Sequence, residues 1–107
     1  PDNSIQEEFM KYPYVLSQET KADIDEIYEF SEGKFGHDQA IKYLIGLEEH
    51  FEKLSANYHI GRTRNDIKKG LKSLPYISHI IFYRILKDRI RIVKVLYGGR
   101  DLIRFLD

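Results

Sequence analysis

The sequence predicts an α+β fold, a helical hairpin packed on a small antiparallel sheet in the order β-α-α-β-β-β, and three observations carry that prediction. Between Gln18 and Leu54 apolar residues recur every three or four positions. From Lys68 to Tyr97 the texture changes to β-branched and aromatic segments, and Gly36 breaks the first region in its middle. A chain of 107 residues hides about two thirds of its unfolded surface, which favours a single core. Its 42% apolar, 32% charged and 13% aromatic content is that of a chain that folds.

Met10 is the sole methionine. Residues 1–9 are expected to be a non-native or disordered leader, with 10–107 forming one domain. Tyr14-Val-Leu-Ser17 reads as a short strand whose Ser17 caps the helix that starts near Gln18. Ala22, Ile24, Ile27, Tyr28, Ser31 and Phe35 form the stripe of that helix, and Asp23, Asp25, Glu26, Glu29 and Glu32 fall largely outside it. Gly36 is the expected stop. His37-Asp38 then opens a second helix whose stripe, Ala40, Tyr43, Leu44, Leu47, Phe51 and Leu54, is the cleanest periodic signal in the chain. So short a connection makes the two helices an antiparallel hairpin with acidic outer faces.

Asn57 to Asp66 reads as a basic, turn-rich linker, followed by strands at Lys68–Leu74, Ser78–Leu86 and Arg89–Tyr97, split by Pro75 and by Lys87-Asp88. His79 to Leu86 is apolar on both faces and is expected to be the central strand, with helices on one side and other material on the opposite side. Asp101 to Leu106 is expected to add a terminal helical turn, with Leu102, Ile103, Phe105 and Leu106 as its apolar residues.

The zero net charge hides a segregation. Residues 1–56 hold five Lys/Arg against thirteen Asp/Glu, a net −8, and residues 57–107 hold twelve against four, a net +8. Exposed ion pairs contribute only about 0–1 kcal/mol each, so mutual attraction of the halves is a weak reason for so complete a separation. A partner for one face or both is expected.

His37, His50, His59 and His79 lack ligand spacing and cysteine is absent, so neither a metal site nor a disulfide is expected. Neither a nucleophile elbow nor a phosphate-cradling glycine loop occurs, and no cofactor is implied. No membrane-length apolar run or signal peptide is present, and the expected location is the cytoplasm. What remains is a set of cations: Arg62, Arg64, Lys68, Lys69, Lys72, Arg84, Arg91, Lys94, Arg100 and Arg104, with Tyr76, Tyr83 and Tyr97 among them. Nucleic acid or an acidic protein segment would satisfy such a surface. Strand tyrosines are usually packing residues, whereas Arg84, in an apolar strand, must be paired or point into a cleft.

Taken in order, several segments resemble a known family. They are Leu16-Ser17 with Ala22-Asp-Ile-Asp-Glu-Ile27, Phe35-Gly-His-Asp-Gln-Ala40, Ile60-Gly-Arg-Thr-Arg-Asn-Asp-Ile67 with Gly70-Leu-Lys-Ser73, His79-Ile-Ile-Phe-Tyr-Arg84, Ile92-Val-Lys-Val-Leu-Tyr97 and Arg100-Asp101. The set resembles the ParE toxins of bacterial type II toxin–antitoxin systems, within the RelE/ParE superfamily, over nearly everything after Met10. The resemblance implies a RelE/ParE-like domain and a non-enzymatic toxin that interferes with DNA gyrase and is neutralised by a ParD-like antitoxin. The residues expected to meet target or antitoxin are Arg62, Arg64, Tyr83, Arg84, Lys94, Tyr97, Arg100 and Arg104. The superfamily's other branch, the RelE-like ribosome-dependent mRNA interferases, folds alike and cleaves RNA, and here Arg64, Arg84 and Tyr97 would fill the catalytic roles. Some RelE-like nucleases use a histidine near the C-terminus, and the last histidine here is His79. The ParE pattern often carries His at the position of Tyr97, where this chain departs from it. If the cationic surface holds the antitoxin tail, their affinity should fall as salt rises.

Overall fold

A computed structural model describes residues 12–99 and Leu106. The expected leader 1–9, the turn residues 101–105, Arg100 and Arg104 lie outside the described residues. Strand β1 (Tyr14–Leu16) leads into helix α1 (Gln18–Phe35) and helix α2 (His37–Ala56), followed by β2 (Arg62–Thr63), β3 (Lys72–Tyr76), β4 (His79–Ile85) and β5 (Ile90–Tyr97). One sheet collects the strands in the order β1-β5-β4-β3-β2, with β1 parallel to β5 and the remaining pairs antiparallel. The sheet is therefore mixed: β3, β4 and β5 follow one another as antiparallel neighbours, whereas both helices and three strands lie between β1 and its parallel partner β5.

Ser17 caps α1 by accepting the Thr20 N–H at 3.0 Å. Gly36 alone joins the helices. Its N–H reaches Glu32 O and its carbonyl receives Ala40 N–H, at a φ of +88° that a side chain would disfavour. On α2 the buried residues Ala40, Leu47, Phe51 and Leu54 follow the expected stripe. On α1 the buried set is Thr20, Asp23, Ile27 and Ser31, so Asp23 faces inward and Ala22 and Phe35 face outward.

The edge of β5 explains this inversion. β1 pairs with β5 only as far as Ile92, and past that point α1 lies along the edge. Ser17 Oγ donates to Val93 O at 2.8 Å, Thr20 Oγ1 donates to Ile92 O at 3.0 Å, and Asp23 Oδ2 accepts Val95 N–H at 3.0 Å. Polar side chains of a helix thus satisfy backbone groups that a neighbouring strand would otherwise take. Opposite, β4 and β5 shift register between Phe82 and Tyr83, where Phe82 faces Lys94 and Tyr83 faces Ile92.

β4 is central, as expected, and buried on both faces. Ile81 and Tyr83 join Ile27, Leu47, Phe51, Leu54, Ile90 and Ile92 under the hairpin. Phe82 joins Leu71, Leu96 and Leu106 on the outer face, where Ile67 closes over them. Two boundaries differ from the expectation. Lys68–Gly70 belong to a turn pinned by Asn65 Oδ1 on Gly70 N–H, and Gly70 has a φ of +83°. Pro75 sits inside β3, where it does not split the strand. β2 stops pairing at Ser73, so on that side no ladder partner needs the N–H that proline lacks.

Candidate functional site

The residues expected to act together divide between the two sides of the sheet, the outer face and the side covered by the hairpin. Arg84 shares the outer face with Phe82, two positions earlier in β4, and Nη1 donates to Lys69 O at 2.8 Å. Arg91 lies directly across from it in β5. Arg64 places its guanidinium 6.0 Å from the centre of the Phe82 ring and makes a two-pronged contact with Asp66 at 3.1 Å, with a side chain only 14% exposed. That contact, together with nearby Arg62, holds the Asp66 carboxyl below its ordinary range. Arg62 is exposed on β2.

Two expected contact residues are engaged within the fold. Tyr83 is fully buried, and its hydroxyl donates to Tyr58 O and accepts Gly61 N–H, both at 2.9 Å, so it has no surface to offer a partner. Lys94 is held by Asp23 at 3.0 Å, in a pair whose side chains are 20% and 11% exposed, because the carboxylate that secures β5 needs a counter-charge. Burial corrects the expectation for Tyr83, whereas Lys94 keeps a partly exposed side chain within its ion pair.

Tyr97 lies elsewhere. It pairs with His79 at the far end of β4, five residues or about 16 Å along the strand from Arg84, and on the hairpin side of the sheet. His79 Nδ1 is 2.6 Å from the Tyr43 hydroxyl of α2, and its ring meets Tyr97 edge-on at 6.0 Å. Tyr76 donates to Tyr43 O at 2.7 Å and completes this aromatic floor. Burial pushes the Tyr43 and Tyr76 phenols above their ordinary value.

Above the floor opens a groove of about 910 Å³ between the hairpin turn and the end of the sheet. Its rim carries Phe30, Phe35, Ile77 and Tyr97, which are 64%, 62%, 77% and 53% exposed and account for four of the eight large apolar side chains left open to solvent among the described residues. Lys34 hangs over both phenylalanines at 5.5 and 5.8 Å. Ile77 turns the chain from β3 to β4 at a φ of +49°, an unfavourable conformation for a β-branched residue. A groove with exposed apolar rim residues and the charged side chains Asp23, Glu26, Lys34 and Lys42 in its lining has the chemistry to accept an amphipathic segment. Among the described residues no group of His, Cys, Asp and Glu could hold a metal, and no helix is long and apolar enough to cross a membrane.

The sequence reading missed this groove. Phe30 falls off the α1 stripe amid acidic residues, a signal of an exposed apolar residue that could have been used, whereas the backbone conformation of Ile77 has no sequence signature.

Two helices on a five-stranded mixed sheet, with the groove at their turn, form an α+β domain of RelE/ParE-like architecture. In comparison with solved structures, a chain of the "Chromosomal ParDE TA system from P. aeruginosa" superposes with a TM-score of 0.73 at 19% identity, covering 81% of this chain and 96% of that one. The family model described as "ParE toxin of type II toxin-antitoxin system, parDE" matches residues 14–102. Toxin ParE1 of Mycobacterium tuberculosis is 35% identical over 98 residues, covering 91% of this chain and 100% of that protein. Toxin ParE1 of Caulobacter vibrioides is 33% identical over 89 residues, covering 83% and 92%. The chain belongs to the ParE toxin family of type II toxin–antitoxin systems.

Proposed function

We propose that this toxin acts by occupying DNA gyrase through its basic outer face, without catalysis, and is neutralised when the tail of a ParD-like antitoxin fills the groove. The observation that carries the reading is the separation of the residues a ribonuclease would need. Arg64 and Arg84 belong to the outer face and Tyr97 to the groove, about 16 Å away along the sheet and on its other side. General acid–base cleavage requires its groups within hydrogen-bond reach of one phosphate, which this arrangement does not supply. The groove supports the antitoxin half of the proposal. A flexible tail must offset its ordering cost with contact area, and Phe30, Phe35, Ile77 and Tyr97 provide apolar anchors for it.

The test pairs two assays on the purified protein, inhibition of gyrase supercoiling and cleavage of mRNA on translating ribosomes. Supercoiling is expected to be inhibited and mRNA to remain intact. Codon-dependent cleavage with gyrase unaffected would reverse the reading.

A further inference from the structure

We infer that the outer sheet face is a binding site for the phosphate backbone of duplex DNA, a property of the isolated chain that goes beyond the gyrase reading. The inference begins with Arg84 and Arg91, which stand directly opposite each other on neighbouring strands. Like charges at that spacing destabilise a sheet unless an anion lies between them. Arg84 is turned outward by a carbonyl, Lys69 O, which fixes the guanidinium without neutralising it. Arg62 shares this face, Lys68 and Lys69 flank it in the turn that packs Ile67 over Phe82, and Lys87 follows in the β4–β5 turn. Among the described residues none of these six cations lies within ion-pair distance of a carboxylate. Arg64, already engaged by Asp66, is not counted with them.

Composition favours nucleic acid over an acidic peptide. Peptide sites depend on apolar anchors, and the large exposed apolar side chains beside these cations are Val15, across from Arg91, and Ile60, two residues before Arg62, which are 40% and 42% exposed and less open than the four that rim the groove. Phe82, the aromatic residue of this face, is fully buried and unavailable for base stacking, which disfavours single strands. What remains is charge presented by guanidinium and ammonium groups, the chemistry of sequence-independent phosphate contact. From β2 to β5 the face spans three strand spacings, roughly 14 Å. That length covers about four base pairs, so about four phosphates are within reach.

The experiment titrates the full chain into a fluorescently labelled 20-base-pair duplex at several salt concentrations, without gyrase. Binding is expected to be independent of sequence, with a slope of log affinity against log salt of about −4. In R84Q/R91Q, checked for native circular dichroism, the slope should become shallower by about 2 and affinity should fall about tenfold at 0.1 M salt. No binding at 50 mM salt, an unchanged slope in the double variant, or displacement of the duplex by poly-glutamate at equal charge concentration would each overturn the inference, the last by assigning the face to acidic protein. A wild-type protein that binds duplex and leaves supercoiling untouched would defeat the gyrase reading and leave this one standing.

Discussion

Tyr83 illustrates how a residue that looks like a surface group can serve the interior. Its phenol lies deep under the hairpin, and the approach of Gly61 is so close that a Cβ there would come within 2.3 Å of the hydroxyl and 2.8 Å of Ser73 O. Tyr83→Phe leaves a part-buried N–H and a part-buried carbonyl without their partner and is expected to cost about 1 kcal/mol, measurable by urea unfolding. A pH dependence follows from the same burial, which raises the Tyr83 phenol above its usual 10.0. The folded state holds the proton more tightly than the unfolded state, so this contribution is complete below about pH 10 and disappears as pH rises through the folded value. The urea midpoint should therefore drop above pH 10, and Y83F should drop less. An equal drop in both would show that other tyrosines carry the effect.

At the scale of elements, much of the hairpin was legible and much of the edge chemistry was not. The α2 stripe, the Ser17 cap and the Gly36 stop all follow from spacing and residue type, because helix periodicity and capping are local. Asp23 and Pro75 were misplaced because their roles depend on where strands end, and strand order is not written in local sequence. Tyr83 and Lys94 looked like site residues for the same reason, since alternation along a strand does not say which face the helices cover. The β3–β4 turn yields a prediction at this scale. Ile77→Gly relieves a left-handed conformation in an exposed position and should stabilise the free domain by about 1 kcal/mol, seen as a higher melting temperature. It should also weaken capture of a ParD-like tail, since it deletes a rim anchor. Tighter capture would show that the rim is not the contact.

For the whole molecule, the groove at the hairpin turn lies apart from the cations of the outer face. A tail seated in that groove is held chiefly by apolar contact, which salt screens little, so its affinity should change by less than about threefold between 0.1 and 0.5 M NaCl. Calorimetric titration with the antitoxin would measure this. A steep loss would return the tail to the basic face, as the charge pattern alone suggested. The sheet's flanks carry a further consequence. Beyond Ile92 one flank is sealed by Ser17, Thr20 and Asp23, and on the other the two-residue β2 stops at Ser73 and leaves Pro75 of β3 at the edge. Among the described residues the edge strands are three and two residues long, too short to template stacking in register, so concentrated copies should remain separate particles and not grow into fibres.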